Sequence, residues 1–345
     1  PVSTAVVHPV TAIAMEAAAD AAARELIDPV LIGPGSRIED AIDQAALSGT
    51  QWTIIDTEHS HEAAAHAAML AGKGKVGAIM KGSLHSDELL GAILRPEAGL
   101  RTERRLSHAY VMSIASYSKP FIITDAAVNI APDLSAKADI VQSAADLWRV
   151  LFGGAALPRV AVLAAVETVN PRMQATIDAA SLCKMADRGQ ITDCVIDGPL
   201  AFDNAVSKDA AREKGIVSPV AGDADILLVR NIEAGNMLAK QLSFLGGADA
   251  AGIVLGARVP QVPRLRPPGL DRLMAGKVTG IGADCRLHAK VIATGTTTSL
   301  PNGPRACWPN SAPTLHKAGW WPRTSETVPA FVHCSAAAAS TRRWG

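Results

Sequence analysis

The sequence has few of the features that identify secreted or membrane proteins. It holds five cysteines in 345 residues, and the two that precede residue 260, Cys183 and Cys194, are too few for a disulfide framework. No apolar run approaches the roughly 18–20 residues that a membrane-spanning helix needs. The N-terminal residues lack the basic segment of a secretory signal. We therefore expect a protein of a reducing, cytoplasmic compartment that has no membrane partner.

Acidic and basic residues are unevenly distributed, although the formal net charge is zero. Residues 1–260 carry 22 Lys and Arg against 30 Asp and Glu, a net charge of −8, whereas residues 261–345 carry 11 against 3, a net charge of +8. The second segment also holds nine of the 21 prolines and four of the six tryptophans. The acidic body argues against sequence-independent binding of nucleic acid there. The change near Pro260 indicates a basic tail or a separate module.

Short apolar runs alternate with helical patterns up to residue 257. Runs of four to six apolar residues are typical of strands buried on both faces, so the pattern predicts an α/β fold with a mainly parallel sheet and right-handed crossovers. Strands are predicted near residues 29–33, 52–56, 76–80, 108–114, 120–124, 160–164, 194–197, 226–229 and 253–255. Helices are predicted near residues 10–27, 37–48, 60–71, 86–95, 133–152, 171–187, 201–214 and 232–245.

Polar residues and glycines follow five of the predicted strands. These loops are residues 81–86, 124–129, 167–171, 197–199 and 231–236. In open α/β folds, ligands bind at the carboxyl ends of the strands. Each loop taken singly is also explained by helix caps and turns, which favour Asp, Asn and Gly. The five loops together favour a site in one cleft.

Two groups of cations are suited to an anion. Lys81, Gly82 and Ser83 lie between a strand and a helix, where backbone N–H groups and a helix N-terminus can hold phosphate, but the spacing of an ATP-binding loop is absent. Four arginines lie close together in this otherwise acidic body, at positions 95, 101, 104 and 105. Guanidinium groups bind phosphate in a bidentate manner. The alternative for the lysine loop is that its neighbouring acidic residues only stabilise the first turn of the helix that follows. The alternative for the arginines is a solvated loop that binds no ligand.

Two further motifs do not support a site. The glycines at 72, 74 and 77 match a dinucleotide-binding spacing, but they precede a strand instead of following one, so they more simply end a helix. His59, His61 and His66, with two neighbouring glutamates, could be metal ligands. No HExxH pattern is present, and the alanine-rich surroundings favour a surface helix. We therefore expect no metal.

Seven blocks of sequence, in order, resemble the phosphate acyltransferases, the family of phosphate acetyltransferase and phosphate butyryltransferase. They are residues 80–89 (MKGSLHSDEL), 100–105 (LRTERR), 123–132 (ITDAAVNIAP), 165–171 (AVETVNP), 184–190 (KMADRGQ), 197–205 (DGPLAFDNA) and 218–226 (SPVAGDADI), the last continuing to 233–240 (EAGNMLAK). The resemblance covers essentially residues 1–260. The forms at 165–167 and 197–199 are closer to the butyryl branch.

The resemblance implies a reaction and an architecture. The reaction is reversible acyl transfer, in which acyl-CoA and inorganic phosphate give acyl phosphate and free coenzyme A, the acyl group being acetyl or butyryl. No metal or bound cofactor is implied, and coenzyme A is a substrate. The implied fold has two three-layer α/β domains, as in isocitrate and isopropylmalate dehydrogenases, with the active site between them. They are residues 1–115, normally completed by the C-terminal segment, and 116–257, in a homodimer.

The same resemblance, with the loop positions, gives a set of candidate substrate-binding residues. They are Lys81, Gly82, Ser83, His85, Arg101, Asp125, Asn129, Glu167, Asp197 and Asn236. No catalytic residue is assigned, because the family places a Ser-Arg segment soon after the strand that matches residues 252–260, and here Gln261 begins a segment without it. Arg230 also stands where the family usually has proline.

The segment from residue 258 to 345 is expected to be an aberrant, basic and poorly folded tail. Its proline-, arginine- and tryptophan-rich composition suggests a change of reading frame in a GC-rich gene. Reading the coding DNA past codon 260 in the other two frames should recover Ser-Arg-Ala-Asp; a natural divergent tail is the alternative. Loss of the Ser-Arg cations predicts little or no turnover by this chain. Two competing functions are therefore a non-catalytic relative that binds coenzyme A or phosphate, and a protein whose basic tail binds acidic partners.

Overall fold

The computed structural model describes residues 1–153, 156–259 and 261–262. The strands are β1 Val2–Val7, β2 Ile27–Gly33, β3 Thr53–Asp56, β4 Ala78–Lys81, β5 Ser107–Ser113, β6 Phe121–Thr124, β7 Arg159–Leu163, β8 Val195–Leu200, β9 Ile226–Leu228, β10 Asp249–Leu255 and β11 Gln261–Val262. The helices are α1 Ala12–Ala23, α2 Gly35–Gln44, α3 Ser60–Gly72, α4 Ser86–Ile93, α5 Leu134–Phe152, α6 Gln174–Asp187, α7 Phe202–Val206, α8 Lys208–Glu213 and α9 Ile232–Phe244, with a 3₁₀ turn at Pro96–Ala98.

The described strands form one sheet in the order β3-β2-β1-β4-β11-β10-β5-β6-β9-β7-β8. The first five strands in this order, β3, β2, β1, β4 and β11, run parallel to one another. The last four, β6, β9, β7 and β8, form a second parallel group. Between these groups, β10 is antiparallel to β11 and to β5, and β5 is antiparallel to β6. The predicted α/β fold with a mainly parallel sheet is confirmed.

The antiparallel pairs reverse the direction of half the sheet. Because three successive antiparallel pairings separate β11 from β6, the strands β6 to β8 run opposite to β1 to β4. The carboxyl ends of the two parallel groups therefore lie at opposite ends of the strands. We call the side of the sheet at the carboxyl end of β4 the β4 edge, and the side at the carboxyl end of β6 the β6 edge.

Both parallel groups are covered by helices on both faces. On β1, β2 and β4, alanines of α3 pack against one face, and side chains of α1 and α2 pack against the other. Five alanines of α3 are buried, which lets the helix approach the sheet closely. On the second group, α5 and α6 cover one face, and α7 and α9 cover the other. All described residues belong to one structural unit, and the division into domains 1–115 and 116–257 stays a prediction.

Three local predictions need correction. The N-terminal residues form β1, which no predicted strand included, although β1 pairs with both β2 and β4. Strand β8 continues past its predicted end at Asp197, through Pro199 to Leu200. Among the described strands β8 is at the edge of the sheet, where a missing N–H is tolerated. The helix predicted at 201–214 is two helices, since Ser207 accepts a hydrogen bond from the N–H of Ala210 and begins α8.

Two motif predictions can be compared directly with the structure. Helix α3 ends at Gly72, and Gly74 takes a φ of 68°, so these glycines end the helix as predicted. In the described part of the chain, no helix combines the length and the apolar character that crossing a membrane requires. The predicted tail, residues 258–345, lies almost entirely outside the described residues.

Candidate active site

The loop that follows β6 is organised by one buried carboxylate. Asp125 is 2% exposed. Its carboxylate accepts hydrogen bonds from the backbone N–H groups of Ala127 at 2.9 Å, Val128 at 3.0 Å and Asn129 at 3.1 Å. It also accepts one from the side-chain Nδ2 of Asn129 at 2.5 Å. One side chain therefore holds the backbone of residues 125–129 and orients Asn129.

Neighbouring elements hold the same loop from two sides. Asn129 Nδ2 also donates to the carbonyl of Leu106 at 2.8 Å, which ties the loop to the start of β5. Asn236 on α9 donates to the carbonyl of Ala126 at 3.2 Å. The structure thus brings together three of the predicted site residues, Asp125, Asn129 and Asn236. The first and last of them support the position of Asn129.

Asn129 borders a cavity of about 390 Å³, which we call the arginine cavity. Its lining residues are Leu90, Ile93, Leu94, Leu100–Leu106, Val128, Asn129, Gly256 and Ala257. Arg104 forms an ion pair with Asp146. Within the described ranges, no acidic side chain forms an ion pair with Arg101 or Arg105. The cavity therefore offers two exposed guanidinium groups beside an apolar wall, an arrangement suited to an anion that carries a short apolar group.

His108 lies on β5, next to the strand β6 that precedes the Asp125 loop. It is not among the site residues predicted from the sequence. It is 1% exposed, and its Nδ1 has no hydrogen-bond partner among the described residues. Its ring contacts the edge of Tyr110, with 4.3 Å between the ring centroids. Burial lowers the pKa of His108 to about 4, and the charge of Asp125 partly offsets this effect. A histidine inside an apolar strand was the signal that could have pointed to it.

The lysine loop lies at the β4 edge instead. Lys81 Nζ donates to the carbonyl of Leu84 at 2.6 Å. The N–H of Gly82 donates to Val7 and that of Ser83 to His8, each at 2.8 Å. His85 precedes α4 as its N-cap residue.

The described strands do not bring all five polar loops to the same end of the sheet. The carboxyl ends of β4 and β6 point to opposite edges of the sheet. The structure does not bring Lys81, Gly82, Ser83 and His85 to the edge that holds Asp125 and Asn129. A role for these four residues in binding the substrates stays a prediction.

Two other predicted residues are bound to local partners. Glu167, after β7, accepts hydrogen bonds from Asn204 Nδ2 at 2.6 Å and from Lys214 Nζ at 2.5 Å. The hydrogen bond from Lys214 holds the pKa of Glu167 below its usual range. Asp197, predicted at the end of its strand, lies within β8, and its carboxylate accepts a hydrogen bond from the N–H of Gly198 at 2.8 Å. Neither residue lines the arginine cavity.

The histidines near the start of α3 have acidic neighbours but do not form a metal site. His61 Nδ1 lies 2.7 Å from Glu88 Oε1, and His59 Nδ1 lies 4.0 Å from Glu62 Oε2. Both histidine side chains are exposed. Over the residues that the structure covers, no group of three or more His, Cys, Asp or Glu side chains is placed to hold a metal ion.

The structure thus shows an α/β protein with a cavity lined by arginines, and comparison with known proteins gives the family. The family described as phosphate acetyl/butaryl transferase matches residues 55–263. The chain belongs to this family. The match ends three residues after Pro260, close to the change in composition.

Relatives with established names agree with this assignment. The phosphate acetyltransferase of Rickettsia prowazekii (strain Madrid E) is 55% identical over 271 residues, which are 79% of this chain and 77% of the relative. That of Rhizobium meliloti is 50% identical over 294 residues, 85% of this chain and 92% of the relative. The phosphate butyryltransferase of Clostridium acetobutylicum is 38% identical over 248 residues, 72% and 82% of the two chains.

Solved structures show the same fold. A branched-chain phosphotransacylase from Enterococcus faecalis V583 superimposes with a TM-score of 0.69 at 25% identity, covering 85% of this chain and 98% of the other. A phosphotransacetylase from Streptococcus pyogenes gives a TM-score of 0.64 at 20% identity, covering 85% and 93%. The resemblance inferred from the sequence blocks is confirmed, and the chain is a member of a transferase family.

Proposed function

We propose that this chain catalyses acyl transfer between coenzyme A and inorganic phosphate, with an acetyl or butyryl group as the acyl group. The observation that carries the proposal is the arginine cavity in a member of this family. Arg101 and Arg105 line the cavity together with Glu103, and neither arginine forms an ion pair with a described carboxylate. Phosphate and acyl phosphate are anions that such guanidinium groups bind well.

In the direction that forms the thioester, the sulfur of coenzyme A attacks the carbonyl carbon of the acyl phosphate. A carbon–sulfur bond forms, the carbon–oxygen bond to phosphate breaks, and phosphate leaves with that electron pair while the thiol proton passes to solvent or phosphate. Arg101 and Arg105 would stabilise the negative charge that develops on the leaving phosphate.

Asn129 would orient the reacting groups through its carbonyl oxygen. Its Nδ2 already donates to Leu106 at 2.8 Å and to Asp125 at 2.5 Å, so both amide hydrogens are used. The remaining Oδ1 is an acceptor at the cavity, suited to the S–H of the thiol or to a protonated phosphate oxygen. Asp125 and Asn236 would act as positioning residues for this side chain.

We further propose that the protein works as a cytoplasmic homodimer without a metal or a bound cofactor. In this proposal the chain has the two-domain arrangement of the isocitrate and isopropylmalate dehydrogenases, divided near residue 115. The resemblance of the sequence blocks to the family supports these proposals. The exposed apolar side chains of Ile130 and Met237, next to the Asp125 loop and on α9, offer surface for a second subunit.

A second candidate function is binding of coenzyme A and phosphate without turnover. The observation that favours it is the absence of a Ser-Arg segment after Pro260. To separate the two, the purified chain is incubated with coenzyme A and acetyl or butyryl phosphate, and loss of free thiol is followed. Loss of thiol at rates far above the enzyme-free control supports catalysis, although the missing cations predict a slow rate. No loss of thiol, together with measurable binding of coenzyme A, would instead establish the non-catalytic relative.

A further inference from the structure

A separate cavity lies at the β6 edge. It has a volume of about 290 Å³ and lies at the carboxyl ends of β7 and β9, where helices α6, α7 and α9 begin. We call it the Arg230 cavity; its lining residues are Leu163–Ala165, Met173, Ala175, Phe202, Val229, Arg230, Ala234 and Leu238. None of these residues lines the arginine cavity.

Arg230 supplies the charge of this cavity. Among the described residues that line it, Arg230 alone has a charged side chain. The residue is exposed, and within the described ranges its guanidinium group forms no ion pair and no hydrogen bond. Because the family usually has proline at this position, the charge is not part of a site that the family shares. The guanidinium group therefore has all five of its N–H donors available for a ligand.

The remaining lining side chains are apolar. Ala175 is 8% exposed and Val229 is 3% exposed, so they belong to the inner wall of the cavity, whereas Phe202 is 38% exposed and lies towards solvent. A carboxylate has two oxygens, and a guanidinium group can bind both of them in a bidentate manner. A phosphate group would leave further oxygens among side chains that cannot donate a hydrogen bond, which is unfavourable. The cavity therefore suits a carboxylate that carries an apolar chain.

Helix α9 separates this cavity from the Asp125 loop. Ala234 and Leu238 are four residues apart, lie on the same face of the helix and line the cavity. Asn236 lies between them in the sequence and donates to the carbonyl of Ala126 in the Asp125 loop. A ligand in the Arg230 cavity would therefore contact α9 without occupying the arginine cavity.

We propose that the Arg230 cavity binds a short-chain monocarboxylate, with its carboxylate on Arg230 and its apolar chain against Ala175 and Val229. The volume lies at the lower limit of the roughly 300–1,000 Å³ of small-molecule sites, which favours a chain of about four to six carbons. Neither coenzyme A nor phosphate takes part, so this inference does not depend on the proposed function.

The test is calorimetric titration of the full chain with hexanoate, 1-hexanol and hexylamine, which share an apolar chain and differ in charge. Hexanoate should bind more tightly than the other two. Arg230→Gln should raise the Kd of hexanoate about 10-fold or more, the effect of a lost hydrogen bond to a charged group, and should leave the Kd of 1-hexanol unchanged. Ala234→Leu keeps the charge and fills part of the cavity from an exposed helical position, so it should also weaken the binding of hexanoate.

Two further substitutions locate the bound carboxylate. Arg188→Gln is the matched control, because Arg188 is exposed, has no ion pair within the described ranges and lines neither cavity. Arg188→Gln and Arg101→Met should both leave the Kd of hexanoate unchanged. Weaker binding in Arg101→Met would place hexanoate in the arginine cavity and overturn the proposal.

Three other results would also overturn the proposed site. They are no binding of hexanoate by the unmodified chain, equal binding by the unmodified chain and Arg230→Gln, and an effect of Arg230→Gln without one of Ala234→Leu. The last result would mean that the carboxylate lies on the surface, outside the cavity. None of them bears on acyl transfer, which the thiol assay tests separately.

Discussion

At the scale of single residues, the β6 edge depends on two buried polar side chains. The carboxylate of Asp125 accepts hydrogen bonds from three backbone N–H groups and from Asn129, so it organises the loop. His108 lies nearby as a neutral imidazole in an apolar environment. Because the charge of Asp125 acts on His108, protonation of this buried imidazole affects the stability of the region around the Asp125 loop.

Replacing His108 by glutamine should reduce the loss of stability in mild acid. The pKa of His108 is about 4 in the folded chain and 6.5 in the unfolded reference. Between these values the unfolded chain binds more protons, so the free energy of unfolding falls as the pH decreases, by at most about 1.4 kcal/mol per pH unit from this group. Urea unfolding of both proteins at pH 7 and pH 5 measures the difference.

A matched variant separates this effect from general acid sensitivity. His66 is exposed on α3, so His66→Gln should keep the pH dependence of the unmodified chain. An unchanged pH dependence in His108→Gln would show that the imidazole is not held neutral by burial.

At the scale of elements, the site depends on how closely α9 packs on the Asp125 loop. A Cβ atom added at Gly235 would lie 2.7 Å from the carbonyl oxygen of Asp125 and 3.0 Å from the Cα of Ala126. Asn236, the next residue, then reaches the carbonyl of Ala126. The absence of a side chain at Gly235 is therefore what permits the contact between helix and loop.

Gly235→Ala should separate α9 from the loop. We expect a loss of about 1–3 kcal/mol in the free energy of unfolding, as for other overpacked sites, and weaker binding of phosphate because Asn129 is displaced. Gly91→Ala is the control: a Cβ atom at this exposed position of α4 meets nothing within 4 Å. Helix propensity predicts a gain of about 0.5–1 kcal/mol there. Chemical denaturation of both variants tests the comparison, and equal stability of Gly235→Ala and the unmodified chain would contradict the packing argument.

At the scale of the whole molecule, the direction of the strands separates two groups of candidate residues. Reversal of direction through β10 and β5 places the lysine loop and the Asp125 loop at opposite edges. A single cleft would require both to act on the same ligand. If both loops bind the same ligand, replacing Lys81 weakens the binding of phosphate; if they lie at separate sites, it does not.

Lys81→Met should leave the affinity for inorganic phosphate unchanged. Arg101→Met should weaken it about 10- to 150-fold, because a hydrogen bond to a charged group contributes roughly 1.5–3 kcal/mol. Titration calorimetry at one fixed ionic strength measures both. Equal weakening by the two substitutions would mean that the lysine loop does contribute to the same site.

Local sequence patterns predicted individual helices and strands most accurately. Apolar runs and helical periodicity located strands such as Phe121–Thr124 and helices such as Leu134–Phe152, because these signals arise from neighbouring residues. Strand β1 was missed because Thr4 and Ser3 interrupt its apolar pattern. Arg101, Asp125, Asn129 and Asn236 were selected in advance, but the support that Asp125 and Asn236 give to Asn129 required their contacts.

The sequence by itself determined the class of fold and the family, since both are carried by local patterns and by blocks of residues in order. Only the tertiary structure decided which loops share an edge and which polar groups remain without a partner. The physical reason is that strand order and direction depend on pairing between distant segments, such as β10 with β5, and no local pattern encodes it. His108 has the same explanation, because its environment is assembled from segments that are far apart in the chain.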